Sequence, residues 1–85
     1  MPSTTVAVGS AIGLHARPAA VIAEAVADSG VDVTLEVADG EPVDGGSALM
    51  IMPLGATKGT EVTVTADDQA TVDKIAALVA SDLDA

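Results

Sequence analysis

Position, more than presence, makes His15 the residue best placed to do chemistry. It is the only imidazole in the chain, and it stands in Gly13-Leu14-His15-Ala16-Arg17-Pro18-Ala19-Ala20, immediately before an Ala-rich stretch with helical periodicity. The first N–H groups of a helix have no internal partner, and the helix dipole puts about half a positive charge at that end. An anion is therefore favoured beside His15. Pro18 suits the first helical turn, where its missing N–H is not needed, while Ala16 and Arg17 keep their N–H groups for a ligand. A neutral imidazole carries a ring-nitrogen lone pair and is a nucleophile. The chain has no Cys and no second His to make a general-base pair. The chemistry this leaves is covalent modification of the imidazole itself, such as accepting a phosphoryl group. Arg17 then holds phosphate oxygens through the fork of its guanidinium. One His without neighbouring ligands is too little for a metal site, so none is expected. On spacing alone, a solvated surface histidine at a helix start stays open as the other reading.

The elements that must position this loop follow from the hydrophobic period. Thr4 to Val8 alternates, with Val6 and Val8 on one face, as a half-buried strand does. Pro18 to Asp28 carries Ala19, Ile22, Ala23 and Val26 at helical spacing, and Ser29-Gly30 ends that helix. Val31 to Val37 alternates in strict period two, a strand with one wet face. Asp39-Gly40 fits a tight hairpin turn into a short strand around Glu41 to Asp44, which Pro42 confines to an edge. Ser47 caps a short apolar helix through Leu54. Glu61 to Ala66 is a fourth strand with Val62 and Val64 inward. Asp67 or Asp68 then caps a last helix through Leu83, with Val72, Ile75, Ala76 and Val79 on its inner stripe. The order βαββαβα in one short chain packs most economically as an α+β domain, an antiparallel sheet with helices on one face and water on the other. Residues 1–85 are read as one such domain, with no linker or repeat.

Charge singles out two regions. All 13 carboxylates lie at or after Glu24, and a second acid-free window runs from Gly45 to Thr60. Of the three cations, Arg17 lies in the first window and Lys58 in the second. In a chain of net charge −10, that placement points to the two windows meeting in space to handle an anion or an acidic partner. The same negative field, with no Trp, Tyr or Phe for base stacking, excludes nucleic acid as a partner. Absence of Cys removes disulfides and thiolate sites. No run approaches the roughly 18 apolar residues of a membrane span, and the N-terminal residues lack a secretory pattern. A cytoplasmic monomer without membrane insertion is expected.

Ala48 to Leu54 cannot all be buried, because a short helix on a sheet hides one stripe only. With Ile51 and Leu54 inward, Leu49, Met50 and Met52 form an exposed patch suited to docking partners of differing shape, as methionine repacks readily.

At these residues the chain resembles HPr, the histidine-containing phosphocarrier family of the bacterial phosphoenolpyruvate-dependent sugar phosphotransferase system. The resemblance rests on Gly-Leu-His-Ala-Arg-Pro-Ala-Ala at 13–20, the Ser47 to Gly55 helix, the turn at Gly55 to Gly59, and the length and element order. It implies an open-faced β-sandwich of four antiparallel strands in order 1-4-2-3 with three helices on one side. It also implies that His15 accepts a phosphoryl group on Nδ1 from phosphorylated enzyme I, assisted by Arg17, and passes it to the IIA units of sugar permeases. The chain is then a carrier rather than a turnover enzyme, with no cofactor. By the same resemblance the first and short helices, through Ala16, Ala20, Leu49, Met50 and Met52, bind these partners. Ser47 matches the serine phosphorylated by HPr kinase in many Gram-positive relatives, although Gly46 stands where many of them carry Lys. A second class of function is an HPr-like regulatory module acting through Ser47 and the apolar helix without histidine chemistry. A third, a small-molecule-binding α+β domain, has no nucleotide motif or metal cluster in its favour.

Overall fold

A computed structural model describes residues 2–11, 13–38 and 40–81. Strand β1 (Ser3–Ala7) leads through a loop to helix α1 (Ala16–Ser29) and then to β2 (Val33–Val37) and β3 (Val43–Asp44). Helix α2 (Ala48–Ile51) tightens into a 3-10 turn (Met52–Leu54), and β4 (Glu61–Ala66) and α3 (Gln69–Ala80) complete the chain. The four strands form one antiparallel sheet in the order β1-β4-β2-β3, which makes the fold the open-faced sandwich. β4 lies between β1 and β2, with Thr5 opposite Thr63 and Thr63 opposite Glu36.

That register sorts every side chain of β4. Val62, Val64 and Ala66 point to the helices and are fully buried, together with Val33 and Leu35 of β2. Thr63, Thr65 and Glu61 alternate to the open side, where the hydroxyls of Thr5 and Thr63 lie 2.9 Å apart. Helix α3 packs on β1 and β4 with Val72, Ile75 and Val79, and α1 packs against α3 and α2 with Ile22 and Val26. Burying aliphatic side chains of this size is worth about 1.5–3 kcal/mol each, so the core rests on Val, Ile and Leu without any aromatic residue.

The helix ends show why the elements stop where they do. Gly30 closes α1 at φ 70°, its N–H donating to the Ala27 carbonyl. Asp68 caps α3, its carboxylate accepting from the Thr71 N–H at 3.1 Å and the Thr71 hydroxyl at 2.6 Å. Several expected bounds shift. β2 begins at Val33 instead of Val31, and β3 keeps only Val43–Asp44, beyond Pro42, which has no N–H for a ladder. The Asp39 half of the expected turn and the Leu83 end of the last helix lie outside the described residues. No helix among the described residues is long and apolar enough to cross a membrane.

Candidate functional site

The loop from β1 to α1 is held from two sides. The Gly9 N–H donates to the Val79 carbonyl at the end of α3 (3.0 Å), and the Leu14 N–H donates to the Ala56 carbonyl beyond the 3-10 turn (2.8 Å). Between these anchors Gly13 has φ 80°, and a Cβ there would lie 2.4 Å from the Ala56 oxygen. Only glycine combines that backbone with that approach. Leu14 is buried under the loop, and the next side chain, His15, emerges exposed.

His15 is itself the N-cap of α1, with φ −78° and ψ −167°, and its carbonyl accepts from the Ala19 N–H at 2.8 Å. The helix thus starts two residues earlier than its period suggests, because a proline inside the first turn forfeits no intrahelical bond. Pro18 has no N–H and Ala19 is satisfied, so the open donors of this turn belong to Ala16 and Arg17. The imidazole makes no capping hydrogen bond, and no acid stands in the first turn. Arg17 is exposed, and no hydrogen bond or ion pair among the described residues engages its side chain. An anion beside His15 therefore meets two N–H groups, a helix N-terminus and an unpaired guanidinium.

Beside the imidazole a shallow concavity is lined by Leu14, His15, Met52, Gly55, Ala56 and Thr57. Thr57 and Ala56 escaped sequence reasoning as site residues, although they lie within the acid-free window that Lys58 marks. A turn closed by the Thr60 N–H to the Thr57 carbonyl (2.9 Å) and the Thr57 N–H to the Thr60 hydroxyl (3.2 Å) holds them there. Among the described residues no group of three or more His, Asp or Glu could hold a metal ion.

On the outer surface Ala16 and Ala20 are exposed, as are Leu49 (77%) and Met50 (47%). Val21, not singled out from sequence, joins them at 36%. Because α1 packs on α2, these side chains belong to adjoining elements. Met52 departs from the expected exposed patch: it is half-buried against the core and turns into the concavity beside His15. The backbone is still α-helical at Met52 (φ −55°, ψ −44°), which sets its side chain about 100° round from buried Ile51, on the same flank as half-buried Ala48 and off the outer stripe of Leu49 and Met50. Ser47 occupies the N-cap position of α2, but its hydroxyl makes no capping bond, contrary to expectation; only its carbonyl accepts, from Met50 and Ile51. The neighbouring Gly46 lies against Val26 of α1, so the structure places Ser47 toward the far end of that helix and does not bring it to His15.

With this geometry in view, the comparisons are specific. The family model described as "PTS HPr component phosphorylation site" matches residues 2–81. The phosphocarrier protein HPr of Streptomyces coelicolor is 41% identical, over 99% of this chain and 94% of its own length. The HPr-like protein Crh of Bacillus subtilis is also 41% identical, over 79% of this chain and 81% of its own. A crystal structure of the phosphocarrier protein HPr of Bacillus anthracis superposes with a TM-score of 0.84 at 30% identity, covering 92% of this chain and 95% of that one.

Proposed function

Because the chain belongs to the HPr family, the phosphocarrier component of the phosphotransferase system, we propose that it receives a phosphoryl group on His15 from phosphorylated enzyme I and delivers it to IIA units of sugar permeases in the cytoplasm. The observation that carries this reading is the exposed, unbonded imidazole at the N-cap of α1, beside an unpaired Arg17. A ring nitrogen, Nδ1 by family likeness, attacks phosphorus. The bond to the donor breaks, and its electron pair returns to the donor. The N–H groups of Ala16 and Arg17 and the guanidinium meet the charge on the transferring oxygens. No step consumes the protein: it leaves each half-reaction ready for the next, which is carrier behaviour and not turnover of a substrate. Ala16, Ala20, Leu49 and Met50 form the surface on which donor and acceptor alternate, with Met52 forming part of the wall beside His15.

The test uses phosphoenolpyruvate, magnesium and a catalytic amount of enzyme I, with intact mass as the readout. One phosphoryl group on the wild type and none on His15→Ala is expected; no addition to the wild type overturns the reading. A second reading, regulation through Ser47, is favoured by the free hydroxyl at the start of α2 and by the likeness to Crh. Incubation with HPr kinase and ATP that leaves Ser47 unmodified removes it.

A further inference from the structure

Charge on the surface around His15 is ordered rather than mixed. Arg17, Ala20, Val21, Glu24 and Asp28 recur at helical spacing and all are exposed, so they make one outward stripe along α1. The sign of the stripe reverses, from a cation in the first turn to carboxylates about 10 and 16 Å further along the axis. This order runs against the helix dipole, which favours acids in the first turn and bases in the last; α1 has neither. Helix stability does not explain it. The same polarity continues on the neighbouring elements. Lys58 follows Thr57, which lines the concavity at His15, whereas Asp44 binds the N–H of Gly46, the residue that lies against Val26 in the acidic half of α1. No hydrogen bond or ion pair among the described residues engages the side chains of Arg17, Glu24, Asp28 or Lys58. Between the two poles lie the exposed apolar side chains Val21, Leu49 and Met50.

We infer that this surface is a bipolar docking face for the phosphoryl donor, which presents carboxylates over Arg17 and Lys58 and a basic side chain over Glu24 and Asp28. The inference rests on the carrier reading and adds the charge pattern that selects the partner. The poles are separated by more than the Debye length of about 8 Å at physiological salt, so a partner reads them independently. Their arrangement fixes which way round it docks, and a donor that is acidic over the whole face is rejected by the acidic pole. An apolar centre with charges at its margin is the usual anatomy of such a contact. The Lys58 side chain is exposed and does not line the concavity, so it faces the partner and not the phosphoryl group.

The test measures kcat/KM for transfer from phosphorylated enzyme I to the wild type, Glu24→Lys and Lys58→Glu, at about 20 mM and about 0.5 M salt. Each reversal is expected to lower kcat/KM about tenfold at low salt, with the difference shrinking to within about twofold at high salt. The Tm of Glu24→Lys is expected not to fall, since lysine suits that part of α1 better than glutamate, and this separates lost docking from lost fold. Unchanged or faster transfer to Glu24→Lys at low salt, or a deficit that persists at high salt, overturns the bipolar face. A wild type that takes no phosphoryl group would instead overturn the carrier reading itself.

Discussion

A cation in the first turn of a helix faces the positive end of the dipole, so Arg17 costs α1 about 0.3–1 kcal/mol of stability. Among the described residues its side chain recovers nothing from a partner. A bound or transferring phosphoryl group reverses that balance, because a charge-assisted hydrogen bond contributes about 1.5–3 kcal/mol. Arg17→Gln is therefore expected to raise Tm slightly while lowering kcat/KM for transfer from enzyme I by about 10- to 100-fold; thermal unfolding and stopped-time phosphorylation read the two effects. A variant that loses stability without losing rate would assign Arg17 to the fold. At this scale the sequence was most legible. His15 and Arg17 stand out because a sole imidazole before a helix and a cation outside the acidic region are visible in one dimension. Thr57 and Ala56 were not, because their nearness to His15 comes from a hydrogen bond between Leu14 and Ala56 across more than forty residues.

The elements differ in how much freedom they leave the site. The loop before α1 is pinned at Gly9 and Leu14, and Gly13 makes the tight approach possible. An alanine there pays the left-handed penalty of about 1–2 kcal/mol and also meets the Ala56 oxygen. Urea unfolding of Gly13→Ala is expected to show a loss of about 2 kcal/mol or more; a loss below about 0.5 kcal/mol would mean the loop is not held as described. Helix α2 acts differently, because Ile51 is buried while Leu49 and Met50 face outward. Met50→Glu is expected to leave Tm within about 2 °C of the wild type and to lower kcat/KM from enzyme I about tenfold, the cost of a charge in an apolar contact of more than about 1 kcal/mol. Transfer at the wild-type rate would remove α2 from the docking surface. The period-two and period-3.6 patterns located β1, β2, β4 and both long helices, since their inner faces are almost wholly apolar, whereas β3 was read from the turn before it and is shorter than expected. They misjudged Met52 because every residue of this short stretch is apolar, and hydrophobicity alone does not report which flank of the helix beside Ile51 meets the core.

Across the whole molecule, a chain of net charge −10 leaves two stretches of sequence, residues 1–23 and 45–60, free of carboxylates. The fold joins the two beside His15, through the contact of α1 with α2 and the bond between Leu14 and Ala56. The sheet leaves its other face to water, lined by Thr5, Thr63 and Glu36, so the helices and loops carry the recognition surface. The strand order, with β4 inserted between β1 and β2, puts the end of α3 beneath Gly9 and so ties the last helix to the loop that presents His15. That order was legible only through family likeness, because alternation identifies strands but not their neighbours. The central claim is that the phosphoryl group travels on the one imidazole of this architecture. It is tested most directly by labelling the histidine ring with nitrogen-15, charging the protein with phosphoenolpyruvate and enzyme I, and recording the ring nitrogens by NMR. The account predicts that one ring nitrogen of His15 becomes bonded to phosphorus and reverts when a IIA unit is added. Ring signals unchanged in a protein that has gained a phosphoryl group would place that group elsewhere and contradict it.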